Sequence, residues 1–204
     1  MRSHVDGVLF DLLMGVMNSL ETWAAAAGDP ALGLEWRDAV TARMVAAGAY
    51  TPYERLLADA ASALDLAPTA PTDLVDGWAD MDPWPDAAAI RQLPVPYAFV
   101  TNCSSRLARV AADRSRLEPR FVLSAEDAGW FKPDSRVYRE ACRRLGTAPD
   151  RTAFIAGSVY DAAGASAAGL PTWLVRRRAD QPALAEAASV AVSLDEVVES
   201  VSRW

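Results

Sequence analysis

The chain has 204 residues, of which 51% are hydrophobic and 23% charged, which is the composition of a globular protein and excludes general disorder. Its formal net charge of -7 excludes a dedicated nucleic-acid surface, because such a surface neutralises phosphates with clustered lysine and arginine. A chain of this length holds one large domain, or one core domain with a sizeable insertion.

Apolar runs of strand length recur along the chain, and polar or small residues follow most of them. The first run, residues 5–10, ends at Asp11. The later runs are residues 97–100, 121–123, 152–155 and 172–175, and the intervening segments 105–114, 135–145 and 161–168 have helical character. Strands that alternate with helices predict an α/β fold, in which helices cover both faces of a parallel sheet and ligands bind at the carboxyl edge of the strands.

Residues 18–93 break this alternation and are predicted to be almost wholly helical. Apolar residues recur there at helical spacing, namely Trp36, Val40 and Met44, and then Leu56, Leu57 and Leu64. Prolines at 83, 85, 94 and 96 mark the return to the second strand, because proline continues neither a helix nor a central strand. We therefore predict a core domain of residues 1–17 and 94–204, with a helical cap of residues 18–93 inserted after the first strand, over the sheet edge.

Cysteine usage and hydropathy indicate the compartment. Only Cys103 and Cys142 are present, without a CxxC pair, so a reducing environment is expected. The N-terminal residues lack the hydrophobic region of a signal peptide, and no stretch reaches the ~20 apolar residues of a membrane span. We expect a cytoplasmic protein without a membrane or nucleic-acid partner. The one basic run, residues 176–178, is expected to solvate the end of a strand.

The single histidine, His4, precedes the first strand and is distant in sequence from the polar strand ends. Catalysis by Ser-His-Asp or Cys-His sites needs an imidazole beside the nucleophile, which His4 is badly placed to supply. One histidine and two distant cysteines are also too few for the usual zinc sites. An enzyme built from this chain would depend on carboxylates and a lysine.

Polar residues follow successive strands or open helices in the order Asp11, Thr101-Asn102, Lys132 and Asp161. Lys132 lies in the sequence Phe-Lys-Pro-Asp, and Asp161 ends the sequence Gly-Ser-Val-Tyr-Asp. This ordered set resembles the four motifs of the haloacid dehalogenase (HAD) superfamily and spans nearly the whole chain. The resemblance implies a Rossmann-like core with a cap, and a hydrolase that works through a covalent aspartyl intermediate.

The resemblance also implies a role for each motif residue. Asp11 is implied to be the nucleophile, forming an ester-type intermediate that water later hydrolyses. Thr101 and Asn102 are implied to donate hydrogen bonds to the substrate or to developing charge, although both residue types also suit helix capping. Lys132 is implied to keep the nucleophile ionised and oriented, and Asp161 to position Lys132 or the hydrolytic water.

Two departures from the phosphatases of this superfamily narrow the substrate class. Those phosphatases have a second aspartate where this chain has Leu13, and an acidic residue beside the serine of the last motif, where it has Gly157 before Ser158. Phosphoryl transfer depends on metal ions and protonation, whereas a halide leaves without protonation. We therefore expect displacement at carbon without a metal or cofactor. A Mg²⁺-dependent phosphatase with an eroded metal site is an alternative.

The L-2-haloacid dehalogenase branch is more similar to this chain. Residues 131–138, which end in Tyr138, resemble its lysine segment and the tyrosine near its active site, so Tyr138 is a substrate-binding candidate. Arg37 resembles the cap arginine that binds halide or carboxylate there, although Glu35 and Asp38 are also available to pair with it. The implied substrate is a small anion, a 2-haloacid or a similar α-substituted carboxylic acid.

Departures from this branch keep other interpretations open. Its Tyr-Gly-Thr after the nucleophile is replaced by Leu13-Met14-Gly15, and its serine and asparagine near the last motif by Ala156 and Ser158. Ser158 keeps one hydroxyl and is retained as a substrate-binding candidate. A hydrolase that opens a strained ring, such as that of azetidine-2-carboxylate, and a catalytically silent binding module remain alternatives. The oligomeric state is open, with a homodimer as the default expectation.

Overall fold

A six-stranded parallel sheet forms the centre of the computed structural model, which describes residues 5–178 and 189–203. In chain order the strands are β1 Gly7–Asp11, β2 Tyr97–Thr101, β3 Val122–Ser124, β4 Thr152–Ala156, β5 Thr172–Val175 and β6 Ser189–Ala191. Their order across the sheet is β3-β2-β1-β4-β5-β6. The predicted α/β class is confirmed. The carboxyl end of β1 lies between β2 and β4, at the edge where open α/β sheets bind ligands.

The first five strands are those that the sequence predicts, because each is an apolar run that the sheet buries on both faces. Every residue of β1 and of β4 is buried, for example. The sixth strand is not predicted. Ser189 and Val190 are exposed at this edge of the sheet, so the strand lacks the apolar run that marks the others.

Helices fill the segment between β1 and β2, as its apolar spacing predicts. They are α1 Ser19–Ala27, α2 Pro30–Ala47, α3 Tyr53–Ala63 and α4 Ala70–Gly77. Trp36 is fully buried among them, where its indole N–H donates to the Leu57 carbonyl at 3.0 Å and its ring meets that of Trp23 edge-on. Gly33 permits α2 to approach α1, because a Cβ there would lie 2.7 Å from the Trp23 carbonyl oxygen. Leu64, which the spacing assigns to a helix, lies just after the end of α3.

The helices of the core alternate with the later strands. They are α5 Ser105–Ser115, α6 Ala125–Ala128, α7 Ser135–Leu145, α8 Val159–Ala167 and α9 Leu194–Arg203. The predicted bounds of α7 are confirmed: the Asp134 carboxylate caps its start by accepting from the Arg136 N–H, and Gly146 ends it at a φ of 79°. Helix α8 begins at Val159, earlier than predicted, because the extended backbone of Ser158 already forms its N-cap.

The chain leaves the sheet and returns to it as two antiparallel neighbours. Met17 and Pro83 form an isolated bridge, and the Asn18 N–H donates to the Asp82 carbonyl at 2.9 Å. Beyond this crossing, the 3-10 helix Ala87–Gln92 packs against α9 of the core. We therefore propose that the cap ends near residue 82, before the predicted boundary at residue 93.

Further contacts join the cap to loops of the core. Ala49, between α2 and α3, forms an antiparallel bridge with Trp130 in the loop before α7. The Ser104 hydroxyl, at the start of α5, donates to the Glu54 carboxylate of α3 at 2.8 Å. These loops follow the carboxyl ends of β2 and β3, which is the sheet edge that the sequence predicts the cap to cover.

The basic run 176–178 follows β5, and its predicted role as a solvated strand end is wrong for Arg177. The Arg177 side chain is 6% exposed, and its guanidinium pairs with Asp86 at 2.8 Å. A buried charge needs such a partner, and this one lies too far away in the sequence for a local pattern to reveal it.

No helix in residues 5–178 and 189–203 combines the length and apolar character that a membrane span needs.

Candidate active site

Asp11 is the last residue of β1, at the middle of the sheet. It is 6% exposed, and one of its carboxylate oxygens accepts a hydrogen bond from Lys132 Nζ at 2.9 Å. A five-residue π-helical turn, Leu12–Val16, follows it and leads to the cap. The predicted nucleophile therefore lies at the ligand-binding edge of the sheet, against an ammonium group.

Lys132 extends from the loop between β3 and α7 and is almost completely buried. Its ammonium donates to Asp11 at 2.9 Å, to Asp161 at 2.5 Å and to the Val100 carbonyl at 3.3 Å. Asn102 holds its backbone: the Asn102 side-chain amide donates to the Lys132 carbonyl at 2.9 Å and accepts from the Lys132 N–H at 2.8 Å. Asn102 thus positions the lysine, in addition to the substrate contact predicted for it.

Asp161 occupies the first turn of α8 and is fully buried behind Lys132. Its second oxygen accepts a hydrogen bond from the Tyr138 hydroxyl at 2.5 Å. Gly164 makes room for this contact, because a Cβ there would lie 2.8 Å from the Tyr138 hydroxyl oxygen. Tyr138 is fully buried and does not border the cavity beside Asp11. The substrate contact predicted for Tyr138 stays a prediction, and in this structure its hydroxyl binds Asp161.

Burial and charge act in opposite directions on this row of side chains. Burial alone would lower the pKa of Lys132, but Asp11 and Asp161 outweigh it and raise that pKa above the ordinary lysine value. Burial raises the pKa of Asp161 to about 6, against the attraction of Lys132. Burial, followed by the neighbouring Asp161, raises the pKa of the Tyr138 hydroxyl well above its ordinary value. At neutral pH, Lys132 is therefore charged and Tyr138 is a neutral hydrogen-bond donor.

A small cavity of about 40 Å³ lies between Asp11 and the cap helices. Its polar wall consists of Asp11, Ser19, Arg37, Thr41, Tyr53, Thr101, Asn102 and Tyr160. Its apolar wall consists of Leu13, Met14, Trp23, Val40 and Met44. A small cavity that both a carboxylate and a guanidinium border suits a small anionic molecule.

The structure places the cap residue Arg37 and the core residue Thr101 on the same cavity wall. Arg37 Nη1 also pairs with Asp38 at 2.9 Å, so the guanidinium has a structural partner while it borders the cavity. The Thr101 hydroxyl contacts the Cys103 sulfur at 3.6 Å. Ser104 is the N-cap residue of α5, so helix capping by Thr101 or its neighbour Asn102 is wrong.

Gly157 and Ser158 form the loop between β4 and α8. A Cβ on Gly157 would lie 2.4 Å from the Met14 carbonyl carbon and 2.5 Å from the Gly15 nitrogen, so glycine permits this loop to touch the turn after Asp11. The Ser158 hydroxyl oxygen is buried and has no hydrogen-bond partner among the described residues. Its predicted substrate contact stays a prediction, since Ser158 does not border the cavity.

Several residues that border the cavity are not predicted from the motifs of the sequence. Tyr160 directly precedes Asp161, and burial raises the pKa of its hydroxyl to about 12, so it is a neutral polar group on the wall. Thr41 and Met44 share a helix face with Arg37 at spacings of four and seven residues. That spacing is the signal that would have found them, whereas Tyr53 and Ser19 lie in no recognised motif.

The side chains around Asp11 do not fit a magnesium ion. Within residues 5–178 and 189–203, no group of three or more His, Cys, Asp or Glu side chains is arranged to hold a metal. Asp11 and Asp161 both pair with the Lys132 ammonium, which lies between them. An acidic residue in place of Gly157 would collide with the backbone of Met14. Mg²⁺ is usually held by one or two carboxylates and several waters, and the two carboxylates here are already paired with the lysine ammonium.

A family profile of haloacid dehalogenase-like hydrolases matches residues 5–169. The chain belongs to this family. It is 28% identical over 196 residues to an (S)-2-haloacid dehalogenase of Pseudomonas putida, a match that covers 86% of each chain. It is 29% identical over 115 residues to (S)-2-haloacid dehalogenase 4A of Burkholderia cepacia, which covers 53% of this chain and only 50% of that relative.

Solved structures support the fold of this haloacid dehalogenase-like hydrolase. An L-2-haloacid dehalogenase from Xanthobacter autotrophicus, with chloropropionic acid covalently bound, superposes with a TM-score of 0.80. The two chains are 17% identical, and the superposition covers 97% of this chain and 98% of that one. The agreement over nearly the full length shows that the sheet and the inserted helices have the same overall arrangement as in that dehalogenase.

Proposed function

We propose that this hydrolase cleaves the carbon–halogen bond of small 2-haloacids of the (S) configuration, with Asp11 as a covalent nucleophile and without a metal ion. The observation that carries the proposal is the row Asp11–Lys132–Asp161, of which Asp11 borders a small cavity that Arg37 also borders. A carboxylate beside an ammonium, facing an enclosed space with a guanidinium, is suited to bind an anion and to attack it.

In the first step, Arg37 binds the substrate carboxylate or the departing halide. An Asp11 carboxylate oxygen attacks the α-carbon, the carbon–halogen bond breaks, and the halide leaves with the bonding electron pair. The product of this step is an ester between Asp11 and the substrate carbon. Halide needs no proton to leave, which agrees with Leu13 in place of a general acid two residues after Asp11.

In the second step, water adds to the carbonyl carbon of the Asp11 ester and loses a proton. The bond between that carbon and the alkyl oxygen breaks, the alkyl oxygen takes up a proton to give the 2-hydroxyacid, and the Asp11 carboxylate re-forms. Lys132 is placed 2.9 Å from the Asp11 oxygen, where its charge stabilises the negative oxygen that develops during this addition. Asp161 and Tyr138 hold Lys132 in that position.

The relatives support both the substrate class and the covalent step. The Pseudomonas putida relative is an (S)-2-haloacid dehalogenase, and the Xanthobacter autotrophicus structure contains covalently bound chloropropionic acid. The apolar wall of Leu13, Trp23 and Val40 gives space for the short alkyl group of such a substrate. The loop at Gly157 lies so close to the Met14 backbone that it has no space for the acidic side chain found there in phosphatases, which disfavours magnesium-dependent phosphatase activity.

A single-turnover experiment in ¹⁸O-labelled water tests the proposal. Excess enzyme is incubated with (S)-2-chloropropionate and EDTA, and peptides are analysed by mass spectrometry. We expect chloride release and one ¹⁸O atom in the Asp11 peptide, because water attacks the aspartyl carbonyl. Asp11→Ala should abolish both, whereas Asp113→Asn, an exposed aspartate on α5, should change neither. Label found only in the hydroxyacid would contradict the covalent step.

The same assay separates the alternatives. Phosphate release from phosphomonoesters that requires Mg²⁺, with no turnover of haloacids, would favour the phosphatase. Opening of azetidine-2-carboxylate, with ¹⁸O in Asp11 but no haloacid turnover, would keep the mechanism and change the substrate. No turnover of any of these compounds would favour a binding module and contradict the proposed activity.

A further inference from the structure

The turn Leu12–Val16, which joins Asp11 to the cap, is held by donors from outside it. The Trp84 indole N–H donates to the Met14 carbonyl at 3.0 Å, and the Trp84 backbone N–H donates to the Val16 carbonyl at 2.9 Å. Arg177 Nη2 donates to the Gly15 carbonyl at 2.6 Å. Three consecutive carbonyls of this turn are thus bound by two residues distant in sequence.

Arg177 is itself fixed by a second set of contacts. Its Nη1 contacts both carboxylate oxygens of Asp86, at 3.0 and 2.8 Å, and its guanidinium carbon lies 5.0 Å from the centre of the Trp84 ring. Asp86 also accepts a hydrogen bond from the Leu194 N–H at the start of α9, at 2.9 Å. A buried guanidinium that binds a carboxylate through Nη1 and a carbonyl through Nη2, with an aromatic ring beside it, is held in one orientation and keeps its donors aligned.

The residue that Arg177 holds lies next to the predicted nucleophile. A Cβ built on Gly15 would lie 3.6 Å from the Asp11 Cβ and 3.5 Å from the Ile155 carbonyl oxygen, so the Gly15 backbone lies beside Asp11 with little space between them. Displacement of this turn would therefore displace Asp11 or open a gap beside it. The chain also lacks a side-chain hydroxyl at Gly15, so the turn depends on donors from elsewhere.

We propose that Arg177, supported by Asp86 and Trp84, is a positioning residue that holds the turn after Asp11 and thereby aligns the nucleophile. This inference rests on the proposed function for its effect on turnover, but its structural half does not. Arg177 does not border the cavity, so it acts on the rate of attack and not on substrate binding. A displacement near 1 Å of a reacting group lowers rates on the order of 10²-fold.

The test compares Arg177→Met with Arg176→Met, which makes the same chemical change at the exposed neighbouring arginine. Hydrogen exchange of the peptide that contains residues 12–17 is followed by mass spectrometry, and needs no substrate. Kinetics with (S)-2-chloropropionate are measured in parallel. Trp84→Phe, which removes the indole donor but keeps a ring, serves as a milder variant if Arg177→Met does not fold.

We expect at least tenfold faster exchange of this peptide in Arg177→Met, with the wild-type rate in Arg176→Met. The kcat should fall at least tenfold while KM stays within about threefold, and guanidinium ion should partly restore the kcat of Arg177→Ala. Unchanged exchange in both Arg177→Met and Trp84→Phe would overturn the inference, whatever the substrate. Faster exchange with an unchanged kcat would also overturn the inference. If the wild-type enzyme does not turn over haloacids, the proposed function is contradicted instead, and hydrogen exchange alone decides whether Arg177 holds the turn.

Discussion

Lys132 Nζ and Asp161 Oδ2 lie 2.5 Å apart, and neither side chain is more than 1% exposed. Asp11 binds the same ammonium, and Tyr138 binds the other oxygen of Asp161, so the four side chains form one buried row. Charges removed from water are costly unless each has a partner, and here each partner is another member of the row. The stability of the fold and the proposed catalysis therefore depend on the same contacts.

Lys132→Met removes the cation and leaves two buried carboxylates without it. Breaking a buried ion pair in this way costs about 3–5 kcal/mol, so we expect that loss in the free energy of unfolding, together with loss of turnover. Urea denaturation and halide release measure the two effects. The matched control is Arg151→Met, which breaks the partly exposed pair with Asp6 and should cost at most about 1 kcal/mol. A Lys132→Met protein of wild-type stability would contradict the prediction.

The charge of Lys132 can be followed directly, because it is the only lysine in the chain. Burial would lower its pKa, but Asp11 and Asp161 together raise it. A raised pKa means that the stabilisation is present below the ordinary lysine pKa of about 10.4 and is lost only as the pH rises through the folded value. The single ¹³C-lysine side-chain signal should therefore not titrate by pH 10.4. A midpoint below that value would show that burial dominates.

Turnover should decline in acid because of Asp161, whose pKa burial raises to about 6. Above that pH the carboxylate is charged and holds Lys132; below it the carboxyl is protonated, and kcat should fall about tenfold per pH unit. The hydrogen bond from Tyr138 lowers this pKa, so Tyr138→Phe should move the decline to higher pH. Tyr97→Phe, far from the row, should not move it. Superimposable profiles for Tyr138→Phe and wild type would argue against the assignment.

Arg37→Lys tests the anion-binding role of the cap. Lysine keeps the charge but loses the planar fork that pairs with a carboxylate, so we expect KM for (S)-2-chloropropionate to rise about tenfold or more. Arg55→Lys on α3, whose side chain is 75% exposed, is the control and should leave KM unchanged. An unaltered KM in Arg37→Lys would indicate that this guanidinium pairs with Asp38 and does not bind the substrate.

The sequence alone predicts an element or a site residue where the neighbouring residues form a recognisable pattern. The apolar runs predict the first five strands, and the motif residues Asp11, Lys132 and Asp161 are the ones that the fold brings into contact. The edge strand Ser189–Ala191 was missed because its first two residues are exposed and give no apolar run.

Long-range contacts explain what the sequence does not show at single residues. The sequence cannot show that Arg177 is buried, because its partner Asp86 precedes it by 91 positions and belongs to another element. The sequence also cannot show that the Tyr138 hydroxyl binds Asp161, because a motif indicates which residues are near a site but not which atom each side chain contacts. Only the packing around Gly164 reveals this contact.

Gly157→Ala tests the contact that separates this site from one with an acidic residue at that position. The added Cβ would lie 2.4 Å from the Met14 carbonyl carbon, and since backbone rather than a flexible side chain is in the way, the turn after Asp11 must move. Overpacking of this kind costs about 1–3 kcal/mol, and kcat should fall together with stability. Gly77→Ala is the control, because its Cβ would meet only the end of the Thr22 side chain, at 3.0 Å. Wild-type stability and turnover in Gly157→Ala would show that the loop has more freedom than its contacts indicate.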